Sequence, residues 1–381
     1  MRVGIVGGGV AGLTLAAKLL QQGRTPIVIE QVEEFEDKGY SLGIYPLGSS
    51  VLHGLGKYDE LLERGEPAET YEVVDGGGEL LLGVDLSLFA GDIGPMVLIS
   101  RTDLIDLLGS AAAGADIRMG TTIANLDQND DTVSVELSDG SAEELDLLIA
   151  CDGIHSQTRQ TLFGVAPDVF DTEWVLWAWW APMPDWDRSV NLESWGKGQF
   201  FGLYPTTDRV MVCAGMHKEH LTADPADLEQ AKAFMQERFA DFIESDPRIG
   251  AAIDAADRLF PWPMADARAQ EWSKGRVLLC GDAAVGFMPT AGAGANTAMR
   301  SAGSLADELS RVNGAIAPLA AEMFEKRCRK IVEKNQHDSR TLARYIFVEN
   351  RAVAWGRDQV MKHYPMQKIL SDIVDAMHTP F

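Results

Sequence analysis

Residues 3–12 read Val3-Gly4-Ile5-Val6-Gly7-Gly8-Gly9-Val10-Ala11-Gly12, an apolar run that halts on three glycines and then resumes. Val10, Leu13, Ala17 and Leu20 recur at helical spacing, and Ile27-Val28-Ile29 supplies a second apolar run that ends at Glu30. Strand, tight turn, helix and strand within about 30 residues make one βαβ unit of the dinucleotide-binding kind. Gly7 permits the turn, Gly9 lets the backbone approach a pyrophosphate, and Gly12 allows the helix to pack closely. Val10 and Ala11 open the helix whose N-terminus would face that pyrophosphate. Glu30 can accept hydrogen bonds from both hydroxyls of an adenosine ribose.

Two later segments share the texture of that first strand. Leu145 to Cys151 and Val277 to Cys280 are nearly uniform apolar runs, as expected of strands buried on both faces. They lead into Asp152-Gly153 and Gly281-Asp282. Ligands of open α/β sheets sit beyond the carboxyl ends of the strands, so three segments far apart in sequence present Gly or Asp where a ligand would lie.

Composition limits the alternatives. The chain has 381 residues, 46% of them hydrophobic, and a formal net charge of -24, so a nucleic-acid partner is not expected. Cys151, Cys213, Cys280 and Cys328 have no paired spacing, and the histidines are dispersed; neither a disulfide framework nor a metal site is suggested. A reducing cytoplasm fits this cysteine usage. The apolar start is broken by glycines, so it reads as structure and not as a signal peptide, and no integral membrane segment is expected.

Between the uniform runs the pattern changes. Thr132 to Leu137 before Asp139-Gly140, and Tyr71 to Leu82 around Asp75-Gly76-Gly77-Gly78, read as hairpins. Phe170 to Met216 is strand-like and rich in Trp and Phe, and after Asn296 the sequence is helical almost to its end. The fold expected is α/β. Segments 1–70, 99–168 and 271–312 form a Rossmann-like nucleotide domain interleaved with a mainly antiparallel sheet domain from 71–98 and 169–270, and 313–381 forms C-terminal helices.

Two further motifs are Asp152-Gly153-Ile154-His155-Ser156-Gln157-Thr158-Arg159 and Gly281-Asp282-Ala283-Ala284, the latter followed by Pro289-Thr290-Ala291-Gly292-Ala293-Gly294-Ala295-Asn296. With the first glycine motif they give GxGxxG, DGxxSxxR and GDAxxxxxPxxGxGxN in order. The chain thereby resembles the single-component, class A, FAD-dependent monooxygenases of the para-hydroxybenzoate hydroxylase fold over its whole length. Ser100 to Leu104 resembles the family's arginine-leucine stretch, and Gly39 to Ile44 its glycine-rich loop facing the flavin.

The resemblance implies FAD as cofactor, with Arg101, Asp152, Asp282, Gly292, Ala293, Gly294, Ala295 and Asn296 joining Gly7 to Gly12 and Glu30 in holding it. Gly43, Ile44, Pro289 and Gly292 would belong to flavin-facing loops. The reactivity would be borne by the flavin: NAD(P)H reduces it, dioxygen adds to give a C4a-hydroperoxide, and one oxygen atom reaches the substrate. Only one GxGxxG occurs, so NAD(P)H would visit transiently.

Physical chemistry is consistent with this reading. Backbone N–H groups of Gly292, Ala293 and Gly294, opening a helix near Asn296, would stabilise negative charge on a reduced flavin. Asp282 can hold cofactor hydroxyls, although a turn or helix-cap aspartate is its other reading. Arg159 is either a cofactor-linked residue or a structural salt-bridge partner. Val285, Ala293 and Arg300-Ser301 depart from the residues usual in the family.

Trp174, Trp177, Trp179, Trp180, Trp186 and Trp195 lie close together, with Phe200, Phe201 and Tyr204 just after them. Trp177 and Trp179 share one strand face, and Trp174 and Trp180 the other. Trp177, Trp179, Trp195, Phe201 and Tyr204 are candidate walls for a flat apolar substrate; packing within the sheet is the alternative for each. Residues 177–182 partly resemble the WxWxIP segment of flavin-dependent halogenases, for which chance is the better explanation. The expected activity is hydroxylation or epoxidation of an aromatic or polycyclic small molecule. The alternatives are an FAD protein with a ligand-binding role, a halogenase, or an isoprenoid reductase.

Overall fold

The computed structural model describes residues 1–35, 40–164, 167–182, 186–224 and 226–363. Two sheets organise it. The first has six strands in the order Ser273–Lys274, Val277–Leu279, Leu147–Ala150, Val3–Val6, Ile27–Ile29 and Asp116–Arg118. All neighbours are parallel except the Ser273–Lys274 edge, which forms a hairpin with Val277–Leu279.

Helix Val10–Gln21 packs on one face of this sheet between helices Arg101–Ala111 and Ala293–Ser310. The three-stranded sheet Ile123–Gln128, Val133–Leu137 and Ala142–Leu145 closes the other, where Val133, Val135 and Leu137 meet Ile27, Ile29, Leu148 and Val277. Cover on both faces explains why these strands are uniformly apolar.

The second sheet has eight strands in the order Val285–Gly286, Trp262–Arg268, Asp168–Pro182, Arg209–His217, Gln199–Pro205, Val190–Trp195, Thr70–Asp75 and Leu80–Asp85. It is antiparallel apart from the parallel pair Val190–Trp195 and Thr70–Asp75. Val285–Gly286 directly follows the Gly281-Asp282 turn and pairs with Ala267 and Arg268, so the cofactor motif itself joins the two sheets. Glu173, at φ 64, lies where the register of the long strand shifts between Asp171 and Val175.

Helices Leu228–Arg238, Ala240–Ser245 and Pro247–Asp254 cover one face of this sheet. Trp177, Trp179, Phe201, Leu203, Val212 and Ala214 are buried there against Phe239, Phe242, Ile249 and Ile253, and the Trp179 indole donates to the Ala252 carbonyl at 2.8 Å. The structure thus places Trp177, Trp179 and Phe201 in a sealed core and not on a ligand-facing wall. The alternation of the strand gave their common face correctly, but the sequence does not say which face the later helices would cover.

The other face turns toward the nucleotide unit. The 30-residue helix Ala317–Ile346 fastens the two units: Arg340 pairs with the buried Asp266 at 2.6 Å, and Gln336 donates to the carbonyls of Ala267 and Gly286. Among the described residues no helix is long and apolar enough to cross a membrane.

Candidate functional site

The three central strands Val277–Leu279, Leu147–Ala150 and Val3–Val6 lie side by side, so their carboxyl ends bring Gly7, Asp152 and Asp282 to one edge. The first turn uses its glycines for different reasons. Gly7 has φ 99, and a Cβ there would stand 2.5 Å from the Cys151 carbonyl oxygen. At Gly12 a Cβ would stand 1.9 Å from the Gly7 oxygen, so only glycine lets helix and turn pack together. Gly9 differs: nothing lies within 4 Å of a Cβ at this position. Open space lies beside Gly9, and the free N–H groups of the Val10–Gln21 helix, which has no side-chain cap, border it.

Glu30 is buried at the end of its strand. One carboxylate oxygen accepts from the Gly8 N–H at 2.5 Å and the other from the Val32 N–H at 3.0 Å. These bonds fix its position and leave each oxygen a lone pair for a ribose hydroxyl.

In the second motif, one Asp152 oxygen accepts from the Thr158 N–H at 3.0 Å, while the other is buried without a partner. Ser156 caps helix Gln157–Phe163. Arg159 is buried and donates to the carbonyls of Ala283, at 2.7 Å, and Ile154, at 2.6 Å. It ties the second motif to the third through carbonyl oxygens, and among the described residues no carboxylate is hydrogen-bonded to it, so the expected salt bridge is replaced by bonds to backbone.

The third motif turns at Gly281, φ 63, where a Cβ would stand 2.8 Å from that of Ala11. Asp282 follows with no hydrogen-bond partner for its carboxylate among the described residues, and burial raises its pKa to about 6. A carboxylate in such a place is stabilised by a ligand's hydroxyl donors. Arg101 begins helix Arg101–Ala111, and its charge and that of Asp282 act in opposite senses on the Tyr40 phenol, whose pKa burial raises. Arg101 and Asp282 therefore converge on one locale.

The helix after the third motif begins at Ala293 and not near Asn296; Gly292 is its N-cap, at φ 58, and no side chain caps it. The free N–H groups are accordingly those of Ala293, Gly294 and Ala295. Asn296 has a structural task. Its oxygen accepts from the Tyr45 N–H at 2.9 Å, and its amide donates to the carbonyls of Gly43 and Gly292. It stitches the Gly43 loop to the Gly292 turn, while the Tyr45 hydroxyl donates to Ala291 from the other side. Ile44 is fully buried beside this stitch, and Pro289 opens the short turn that precedes Gly292. Gly39 lies outside the described residues.

Beyond the Gly43 and Gly292 loops the open face of the large sheet carries Ala178, Trp180, Tyr204, Met211 and Cys213, all half-buried, with Glu193 among them. Trp195 on this face is buried with Phe200, Val73, Ile346 and Met361, and reaches inward only through its indole N–H. Tyr40, Tyr45, Tyr71 and Glu193 were not singled out from the sequence. The available signal was an acid, Glu193, close to Leu192 and Trp195 in a short strand whose residues 191–195 are all buried.

The residues fit FAD: a vacant approach at Gly9, a fixed ribose acceptor at Glu30, an orphaned carboxylate at Asp282 and an uncapped helix start at Ala293. Comparison with known proteins agrees. The profile of the FAD binding domain family matches residues 1–339. A flavin-dependent monooxygenase of Legionella longbeachae is 26% identical over 339 residues, covering 88% of this chain and 87% of that protein. A Streptomyces platensis 3-amino-4-hydroxybenzoate 2-monooxygenase, PtnB3, is 29% identical over 339 residues, covering 87% and 85%. The crystal structure of Klebsiella pneumoniae HpxO complexed with FAD and uric acid superposes with a TM-score of 0.88 at 22% identity, over 99% of this chain and 97% of that one. The chain belongs to the FAD binding domain family and is a class A flavin-dependent monooxygenase with FAD as its cofactor.

Proposed function

We propose that this monooxygenase uses NAD(P)H and dioxygen to place one oxygen atom on an aromatic or polycyclic small molecule. That molecule would lie in a chamber between the Gly43 and Gly292 loops and the open face of the eight-stranded sheet. The observation that carries this reading is the state of four groups on and beside that face. Burial pushes the pKa values of Tyr45 and Cys213 up to about 12 and raises those of Tyr71 and Tyr204 well above the ordinary phenol, yet none of the four is sealed from solvent contact. Half-buried groups of this kind are what the walls of such a chamber would present.

When bound, FAD supplies the redox chemistry. The protein's own contribution is placement. Gly7 to Gly12 and Glu30 would hold the adenosine and pyrophosphate end, Asp152 would border it, and Arg101 and Asp282 would hold the middle of the cofactor. The N–H groups of Ala293, Gly294 and Ala295 would stabilise negative charge on the ring system, and Asn296 and Tyr45 keep the two loops that flank it in register. Trp180, Met211 and the Tyr71–Tyr204 pair would exclude water and offer a flat apolar wall to the substrate.

The test is NAD(P)H oxidation by FAD-loaded protein across a panel of aromatic compounds, under isotopically labelled dioxygen. The expected result is ligand-accelerated oxidation with one labelled oxygen atom in the product. Chloride-dependent product, or no acceleration by any ligand, would count against the oxygenase reading.

A further inference from the structure

Glu193 is a buried carboxylate to which, among the described residues, no cation is hydrogen-bonded. It is 8% exposed, and among the described residues its only close polar contacts are hydrogen-bond donors: the Tyr204 hydroxyl at 2.6 Å, the Trp195 indole N–H at 2.7 Å, and the Tyr71 phenol, which faces it as well. Burial raises its pKa, and its charge in turn helps to raise those of Tyr45, Tyr71, Tyr204 and Cys213. The site is constructed for this contact. Gly202 lies directly across from Glu193 in the neighbouring strand, and a Cβ there would stand 2.5 Å from the Tyr204 ring. The glycine thus leaves the path by which Tyr204 reaches over the sheet to the carboxylate.

An arrangement of this kind decides what the chamber accepts. A tyrosine whose hydroxyl hydrogen is committed to Glu193 can offer a ligand only its oxygen lone pairs. The carboxylate behind it gives this part of the wall a negative potential in surroundings that screen it poorly, with Arg357 set 5.5 Å from the centroid of the Trp195 ring. A ligand O–H or N–H placed against Tyr204 gains a hydrogen bond strengthened by the next one in the chain. A ligand carboxylate meets acceptors and like charge.

On the reading that this chamber holds the substrate, we propose that Glu193, acting through Tyr204 and Tyr71, is a specificity-determining residue. It selects neutral substrates that present a hydroxyl or N–H donor and turns away carboxylates. Arg209 marks the rival arrangement: it stacks on Trp180 at 3.9 Å, two residues along its strand from Met211, the cross-strand neighbour of both Trp180 and Tyr204, and there it would attract an anionic group.

Three ligands with one ring system separate these alternatives: 2-naphthol, a donor; 2-methoxynaphthalene, an acceptor only; and 2-naphthoate, an anion. Their affinities for the FAD-loaded protein are read by equilibrium dialysis. The expected order is naphthol tightest by about tenfold or more, then the ether, then naphthoate. Glu193→Gln should bring naphthol and ether within about threefold of each other and improve naphthoate binding, and Glu193→Asp should restore part of the preference. Should the Gln variant not fold, Tyr204→Phe provides the same readout, because it too removes the acceptor from the wall. A merely structural role for Glu193 would weaken all three ligands together and leave their ratios unchanged, and that outcome overturns the inference. So does tighter binding of naphthoate than of naphthol by the unaltered protein, which would assign selection to Arg209. Failure of all three ligands to bind, while FAD remains bound, would overturn the chamber reading itself and this inference with it.

Discussion

The two faces of the eight-stranded sheet are built from alternate residues of the same strands and have opposite fates. On one, Trp177, Trp179 and Phe201 are sealed beneath three helices, with the one polar atom of Trp179 satisfied by a carbonyl. On the other, Trp180, Tyr204 and Cys213 remain half-buried around an acid whose hydrogen bonds come from Tyr204 and Trp195. Aromatic abundance is therefore no guide to a ligand wall. Enclosure combined with residual accessibility is the better guide, because a packed core has no reason to leave a polar group both surrounded and reachable.

The contrast is broken most severely on the sealed side. Trp179→Ala should cost about 3 to 5 kcal/mol of unfolding free energy, measured by urea denaturation of the FAD-loaded protein, because it opens a cavity and leaves the Ala252 carbonyl short of its donor. A cost below about 1 kcal/mol would show that this face is not a core. Tyr204→Phe, on the open side, should cost no more than about 1.5 kcal/mol in the same measurement while changing ligand preference.

The glycines of the first turn repeat the same opposition. Gly12→Ala should destabilise the apoprotein, since backbone meets the new Cβ, whereas Gly9→Val should leave apoprotein stability nearly unchanged and abolish FAD retention. Purification of a Gly9→Val protein with full flavin colour would contradict the placement of the pyrophosphate.

Asp282 gives a smaller effect with a defined sign. Its folded pKa of about 6 lies above the usual carboxylate value, so the ionised form is penalised in the FAD-free fold. The associated stability is present below about pH 4 and lost as pH rises through 6. Because the group keeps some solvent contact, the loss should be about 1 to 2 kcal/mol between pH 4.5 and 7.5. Asp282→Asn should flatten this slope in urea titrations of the apoprotein and should weaken FAD binding by about 1.5 to 3 kcal/mol. A variant with the same pH slope as the original would show that Asp282 is not the group responsible.

Much of the nucleotide unit was legible because its signals are local. Gly7 and Gly12 are required by backbone geometry, the first by its left-handed φ and the second by its approach to the Gly7 oxygen, and the uniform strands announce their double cover. Arg159 and Asn296 were legible as motif members but not in role: each works by bonding carbonyl oxygens of segments distant in sequence, Ala283 for one and Gly43 for the other. The final cofactor helix starts three residues before Asn296 because Gly292, in a left-handed conformation, caps it with no side-chain signal at all.

The chain's own order of residues thus determined the cofactor class, through turns whose chemistry is complete in a dozen residues, and the alternation that separates the two sets of aromatic rings. Tertiary structure decided which set became core and which stayed half-buried on the open face. That choice rests on where helices 228–254 and the 43–47 and 289–296 loops come to lie, and such placement is set by burial summed over the whole molecule, which no short stretch of sequence contains.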